Sequence, residues 1–552
     1  MTPSPEEAFD YDWIVVGSGF GGSVSALRLA EKGYRVAVLE CGRRFRDEDL
    51  PRSAWQLRRF LWAPALGLKG IWRLTVFKDI FILSGSGVGG GSLAYAATLY
   101  RAPAAYFRHP QWANIDDWEA RLAPHYDTAE RMLGVATPPF DSEADAMLKE
   151  LGEHLGCAST FRKTRVGIYF GEAGRKVADP YFGGEGPERT GCHRCGACMF
   201  GCPHGAKNTL VRNYLYLAEK KGVDVLAERM VIDVRPHGAP DGAEGYVVTH
   251  ERAGAWFARE RRTLRARGVV FAAGALGTNR LLARCKHAGS LPRISERLGH
   301  LVRTNSETLV AVTMPGKERL ADSVAITGSL FPDKDSHIEF VTFGRDADAM
   351  SLMFALLTGK GSRLVRPLLA LGAVLRHPIA SLRKLWPLGW SGHTIVTGVM
   401  QTLDNAIRFR ATPRLFGRGV RLATEQDPAN PIPDFFPIAN RAAEWLAKRH
   451  RGYAQSTVAE ALFGIPTTAH ILGGAVIGSD SEHGVINARH EVYGYRNLLV
   501  CDGAAVPANP GVNPSLTITA MAEAAMAHVP PKRSYERPPV GGAQPLGAVS
   551  YK

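Results

Sequence analysis

The stretch Asp12-Trp13-Ile14-Val15-Val16-Gly17-Ser18-Gly19-Phe20-Gly21-Gly22, with Glu40 about twenty residues beyond its first glycines, decides the fold. An apolar strand runs into a glycine turn, the turn opens a helix spanning Ser23 to Lys32, and a second strand from Arg35 to Leu39 ends on the acid. The glycines have separate tasks. Gly17 permits the tight turn, Gly19 lets backbone N–H groups approach a pyrophosphate, and Gly22 allows the helix to pack closely on the strand. The helix N-terminus offers unpaired N–H groups and a positive dipole end to phosphates. Glu40 stands where a carboxylate accepts a hydrogen bond from a ribose hydroxyl. A lone G-x-G-x-x-G says little, but strand, helix, second strand and acid at the expected spacing predict a dinucleotide-binding α/β domain.

At 552 residues the chain exceeds a single compact core, so two domains are expected. No run of about eighteen uncharged apolar residues suggests a membrane span. The start, Met-Thr-Pro-Ser-Pro-Glu-Glu, lacks the basic-then-apolar profile of a secretory signal, and a cytoplasmic protein is expected. Eight cysteines, four of them between 192 and 202, do not resemble a secreted disulfide framework. A net charge of +14 suits acidic partners, but no nucleic-acid motif is present and the basic residues are spread along the chain. One region stands apart. From Met350 to Leu403 there is no Asp or Glu, and Lys360, Arg363, Arg366, Arg376, Arg383 and Lys384 are interspersed with leucines, Trp386 and Trp390. Such a mixture suits either peripheral contact with an anionic membrane or the lining of an apolar pocket with its basic residues turned to solvent. The segment Pro51 to Lys78 has a similar composition.

Along the chain, a helical pattern covers Ala144 to Leu155, and strand-like runs recur at Asp224–Leu226, Val231–Val234 and Val269–Ala273, the last leading into a helix from Thr278 to Cys285. Short strands at Val324–Thr327, His337–Phe343, Thr394–Met400 and Ile407–Ala411 predict an antiparallel sheet. The expected architecture is α/β: a Rossmann-like nucleotide-binding domain assembled from both chain ends, with an inserted α+β substrate domain built on an antiparallel sheet. The expected segments are 1–304 and 466–529 for the nucleotide domain and 305–465 for the cap. A Pro- and Gly-rich tail, 530–552, is expected to be disordered.

Two further glycine signals sharpen the cofactor reading. Ser84-Gly85-Ser86-Gly87-Val88-Gly89-Gly90-Gly91-Ser92 is a loop nearly free of side chains, able to wrap a planar or phosphorylated cofactor. Near the C-terminus, Val500-Cys501-Asp502-Gly503 ends a strand, and Gly511-Val512-Asn513-Pro514-Ser515 opens a helix running to Ala527. A helix N-terminus beneath a flavin stabilises negative charge on the ring as it is reduced.

With these motifs the chain resembles the glucose–methanol–choline oxidoreductases, flavoproteins that oxidise alcohols, over almost its whole length. Gly17–Gly22 with Glu40 resembles the family's FAD fingerprint, Gly87–Ser92 its flavin-wrapping loop, and Phe271-Ala272-Ala273-Gly274-Ala275-Leu276-Gly277-Thr278 its second signature. Within the family, His470-Ile471-Leu472-Gly473-Gly474 and Gly511-Val512-Asn513-Pro514 are similar to the cholesterol oxidases. The resemblance implies FAD, with candidate contacts at Gly17, Gly19, Phe20, Gly22, Glu40, Gly87, Gly90, Gly91, Ser92, Val231, Gly274, Asp502, Gly503, Asn513 and Pro514. Departures at Tyr95 and Ile471 bear on the substrate rather than the reaction type.

Alcohol oxidation needs a hydride acceptor and a group to handle the hydroxyl proton, and histidine suits the second task. Among 17 histidines, the resemblance singles out His470. It implies that Asn513 donates to the substrate oxygen; a helix N-cap is the structural alternative. It also implies that Glu339, on the His337–Phe343 strand, shuttles a proton along a sterol ring, partial burial raising its pKa toward a useful range.

Cys192-x-x-Cys195-x-x-Cys198-x-x-x-Cys202-Pro203 repeats the spacing of a bacterial ferredoxin cluster. An iron–sulfur cluster on these four cysteines is expected, with zinc or no metal as alternatives. A cluster favours electron transfer to an acceptor protein or quinone, and its absence favours oxygen. The expected activity is FAD-dependent oxidation of a 3β-hydroxysteroid with Δ5-to-Δ4 isomerisation. Another bulky or long-chain alcohol, a cluster-and-flavin electron carrier, and a sterol binder without turnover are the competing readings.

Overall fold

A computed structural model describes residues 9–316, 318–413 and 419–532. Its first sheet has seven strands. Asp224–Leu226, Val36–Leu39, Tyr11–Val16 and Arg262–Phe271 lie in that order and run parallel. Leu498–Val500, from the far end of the chain, adds a further parallel strand beside Val269–Phe271. Tyr246–Arg252 and Arg229–Pro236 continue the sheet as an antiparallel meander. Asp12 to Val16 is buried throughout, as a parallel strand covered on both faces must be. One cover is the Phe20–Glu31 helix, which packs against the Ser515–Ala527 helix. The latter carries only small and apolar residues through most of its length and is buried nearly all round.

The second seven-stranded sheet is antiparallel and orders Phe354–Leu356, Tyr453–Thr457, Thr308–Thr313, Thr394–Gln401, Ser336–Val341, Gly328–Leu330 and Arg162–Lys163. The two-residue period of a strand divides its side chains. Val310, Val312, Ile338, Phe340, Ile395 and Val399 pack into a core covered by the helices Glu143–His154 and Pro437–Arg449. Leu309, Glu339, Val341, Val396, Gly398 and Met400 face the other way, into a cavity against the first domain. The alternation also aims a carboxylate, that of Glu339, into the cavity.

Several expectations change. The 143–163 segment joins the second domain rather than the first: its helix covers the cap sheet, and Arg162–Lys163 pairs with Gly328–Ser329. Val324–Thr327 is buried but not a strand, and pairing begins at Gly328. Its backbone is taken by other partners: Thr342 N–H donates to Ala325 O, and Thr164 N–H to Thr327 O. Ile407–Pro413 belongs to a separate four-stranded sheet with Val420–Gln426, Val302–Arg303 and Leu472–Gly473. The tail from 533, expected to be disordered, lies outside the described residues. Among the described residues, no helix is long and apolar enough to cross a membrane.

Candidate active site

A cavity of about 420 Å³ runs between the two domains. At one end it is bordered by the first glycine turn. Gly17 adopts φ +103°, and a Cβ there would stand 2.3 Å from Ala272 O, so the protein itself demands glycine. Gly19 differs: a Cβ would meet no protein atom within 4 Å and would project into the cavity it lines. The missing side chain leaves room for a ligand. The Phe20–Glu31 helix has no side-chain cap and no acid in its first turn, which leaves its N–H groups for an anion. Glu40 is buried, with Oε2 accepting from Ser18 N–H at 3.1 Å and Ser18 Oγ–H at 2.7 Å, and Oε1 from Gly42 N–H at 2.8 Å. Two carboxylate oxygens retain capacity for a ribose hydroxyl. The second uncapped, acid-free helix N-terminus, at Pro514-Ser515, borders the same cavity. The residues present therefore fit FAD, with a phosphate cradle at one helix and a positive dipole end at the other.

Of the predicted contacts, Gly17, Gly19, Phe20, Glu40, Gly90, Gly91, Val231, Gly274, Asp502, Gly503, Asn513 and Pro514 line the cavity. Gly22, Gly87 and Ser92 do not; they shape its wall from behind. A Cβ on Gly22 would stand 2.0 Å from Gly17 O. Gly87, at φ +123°, packs against Leu93 and Phe45. Ser92 Oγ–H donates to Gly89 O at 2.7 Å and accepts from Leu210 N–H at 3.0 Å. Asp502 accepts from Thr278 Oγ1–H at 2.5 Å and Ala504 N–H at 2.8 Å, and burial raises its carboxyl to about 6.

His470, Glu339 and Asn513 come together from three distant segments. His470 Nδ1 stands 3.0 Å from Glu307 Oε2, which also accepts from Thr468 Oγ1–H at 2.7 Å and Ala469 N–H at 3.0 Å. With Nδ1–H donated to Glu307, the tautomer leaves Nε2 as an acceptor. Burial alone would depress the imidazole, but the Glu307 carboxylate, aided by Glu339, lifts its pKa above the ordinary 6.5. Glu339 is the reverse case. Burial raises its carboxyl to about 7, against the pull of His470 and of donors on Asn513 and Tyr100. Among the described residues, Glu339 Oε1 and Asn513 Oδ1 are buried without hydrogen-bond partners. Two unsatisfied acceptors in one cavity are costly unless a ligand completes them.

Three contributors were not visible in the sequence. Glu307 orients His470. Tyr100, whose hydroxyl bonds Thr164 Oγ1 at 2.7 Å, is within hydrogen-bonding reach of Glu339. Asn305 is held at φ +58° and followed by Ser306 at φ +41°, two buried residues in a conformation that costs most side chains energy. Asn305 Oδ1 accepts from Gly511 N–H at 2.8 Å and its Nδ2–H donates to Val512 O at 3.1 Å. The kink thus ties the Asn513 segment to Glu307, which immediately precedes the Thr308–Thr313 strand. Periodicity gave no sign of it, because a two-residue left-handed turn breaks no apolar pattern.

The cysteine loop does not match its expected role. Among the described residues, no three His, Cys, Asp or Glu side chains are arranged to hold a metal ion. Cys198 is buried while Cys195 is exposed, and the chain takes left-handed turns at Arg194, Gly196, Gly201 and Cys202. Burial pushes the Cys192 thiol up to about 11 and Cys198 higher still. The iron–sulfur and zinc readings of Cys192, Cys195, Cys198 and Cys202 are therefore not supported. The loop packs instead. Buried Lys207 donates through Nζ to the carbonyls of Cys198 at 2.7 Å, Tyr95 at 2.8 Å and Leu93 at 3.1 Å, joining it to the glycine loop.

The comparisons with known proteins agree with this geometry. The GMC oxidoreductase profiles match residues 186–300 and 410–522, and an FAD binding domain profile matches 12–50. A cholesterol oxidase of Mycobacterium tuberculosis is 47% identical over 548 residues, covering 97% of this chain and 93% of the relative. One from Acinetobacter baumannii is 43% identical, covering 96% of each. A pyridoxine 4-oxidase structure from Mesorbium loti superposes with a TM-score of 0.60 at 15% identity, covering 94% of this chain and 99% of that one, which speaks to fold alone. The chain belongs to the GMC oxidoreductase family and is an FAD-dependent oxidoreductase acting on CH–OH groups.

Proposed function

We propose that the enzyme oxidises the 3β-hydroxyl of a cholesterol-type sterol to the ketone and then moves the ring double bond from Δ5 to Δ4. The observation that carries this reading is the convergence of three groups on one cavity: the His470–Glu307 pair, Asn513, and a separately placed Glu339 whose carboxyl titrates near 7. The remaining walls, with Leu309, Val341, Phe343, Val396 and Met400, suit a rigid hydrocarbon. The high identity to two cholesterol oxidases supports the substrate class.

When bound, FAD supplies a flavin that accepts a hydride from the carbinol carbon. His470 Nε2 accepts the hydroxyl proton, and Glu307 stabilises the imidazolium that results. Asn513, once its side chain meets the substrate oxygen, polarises and positions it. As a carboxylate, Glu339 takes a proton from C4 of the 5-en-3-one and, as the acid, returns it at C6, with no net gain or loss. Oxygen is the electron acceptor in this reading, and hydrogen peroxide the co-product.

The test is product analysis with cholesterol in detergent. The wild-type enzyme is expected to release cholest-4-en-3-one with one equivalent of peroxide. Release of cholest-5-en-3-one alone would remove the isomerisation, and no steroid turnover beside rapid oxidation of a long-chain alcohol would replace the substrate.

A further inference from the structure

The helices Arg366–Arg376 and Pro378–Leu385 form a surface hairpin that inverts the usual arrangement. Leu364, Leu368, Leu371 and Leu375 recur at the spacing that normally marks a core-facing helix stripe. Here all four are exposed, Leu364 by 90% and Leu375 by 73%. Leu382 and Trp386 extend the same exposure into the second helix and beyond it. Most large apolar side chains exposed among the described residues fall between Leu352 and Leu388. Scattered exposed leucines need no explanation, but a contiguous patch of this kind marks a contact surface.

The hairpin is firmly attached, so its leucines are not core residues that have come loose. Buried Arg366 donates to Glu460 O at 2.9 Å, Asp434 O at 2.7 Å and Gly361 O at 3.2 Å. At the other end, Lys384 Nζ donates to Ser351 O, and Trp390 is buried against Phe343 and Phe354. The anchors hold the apolar face outward. Its free charge is one-sided: Lys360, Arg376 and Arg383 are exposed on a stretch without a single acid from Met350 to Leu403, while Arg363 is drawn toward buried Asp79 at 3.5 Å. The hairpin also adjoins the cavity, since Met350, Met353 and Phe354 line it ten to fifteen residues before the first leucines, an interval of about one short loop and strand.

From this geometry we infer that the 364–388 hairpin is a docking surface for an anionic phospholipid bilayer, its leucines and Trp386 entering the headgroup–acyl boundary while the arginines meet the lipid phosphates. Apolar insertion and basic flanks act together in such binding, and neither alone gives stable attachment. A second copy of the chain is disfavoured because three like charges would be brought against their own kind. Docking by the surface stands independently of the substrate; its use, delivery of a membrane-dissolved alcohol to the cavity, rests on the sterol reading.

The test separates the two. The FAD-loaded enzyme is sedimented with sterol-free vesicles of phosphatidylcholine containing phosphatidylserine, and with phosphatidylcholine alone. Strong co-sedimentation with the anionic vesicles, weakened by salt, is expected. The exposed double substitution Leu368→Glu/Leu375→Glu is expected to lower vesicle binding at least tenfold, and Lys360→Glu/Arg376→Glu/Arg383→Glu to do the same for the anionic vesicles. Both variants should retain wild-type turnover of alcohol presented in detergent. Equal binding by wild type and variants, or none by either, overturns the docking surface. A concentration-dependent dimer that the leucine variant abolishes, without vesicle binding, assigns the face to a second copy instead. Failure of cholesterol turnover in detergent would overturn the substrate and leave the vesicle result standing.

Discussion

Each polar group at the head of the cavity has a different electrostatic situation, and the variants separate them. Replacing His470 with Ala removes the proposed proton acceptor, and a fall in kcat of about 10²–10⁴-fold is expected with cholesterol. Glu307→Gln keeps a hydrogen-bond acceptor for Nδ1–H but removes the charge that lifts the His470 pKa. In the proposed mechanism oxidation requires the neutral imidazole, so activity is expected to fall as pH drops through that pKa. In the Glu307→Gln variant the acidic limb should therefore move to lower pH, while kcat falls about tenfold or more through lost stabilisation of the imidazolium. A variant with lower kcat and an unmoved limb would reduce Glu307 to a packing residue. Glu339→Gln is expected to leave oxidation largely intact and to release cholest-5-en-3-one, read directly by the loss of the conjugated enone absorbance. Because burial raises the Glu339 carboxyl to about 7, its carboxylate form is lost below that pH. Isomerisation should decline there, and this is measured with 5-en-3-one supplied as substrate.

At the scale of single elements, the first glycine turn offers a paired test. Gly17→Ala introduces a Cβ 2.3 Å from a backbone oxygen at φ +103°, so both FAD content and the thermal stability of the FAD-free protein should fall. Gly19→Ala meets no protein atom, and it should lower FAD content while leaving the stability of the FAD-free protein near wild type. Equal losses in both measurements for both variants would contradict the assignment of Gly19 to ligand space. This element was also the most legible in the sequence, because every constraint on it is local: strand, turn, helix and acid follow one another within 30 residues or so of a βαβ unit. The cap strands were legible as a type but not in their bounds. Glycine at 328 and the alternation at 336–341 mark paired strands, whereas the run 324–327 spends its backbone on Thr342 and Thr164. The cysteine motif failed for a related reason. Spacing limits how far apart four thiols can be, but the left-handed turns at Gly196, Gly201 and Cys202 decide where they point.

At the scale of the molecule, the candidate active site is an interface between two sheets whose pieces alternate along the chain. His470 and Glu307 are 163 residues apart and meet because Thr467–Thr468 pairs with the Phe81–Gly85 strand while Thr308–Thr313 lies in the cap sheet. A resemblance to known sequences could locate His470 and Asn513, each embedded in a glycine-rich motif. It gave no hold on Glu307 or Tyr100, which are single residues whose meaning comes only from what is folded against them. The same interleaving assigns residues 143–163 to the cap despite their place before the cysteine loop.

The measurement that tests the central claim most directly is an anaerobic titration of the FAD-loaded enzyme with cholesterol in detergent, followed through the absorbance of the oxidised flavin. Stoichiometric bleaching on sterol addition, slowed by about 10²-fold or more in His470→Ala, is the predicted result. Flavin bands that stay intact with cholesterol but bleach with a long-chain alcohol would contradict it.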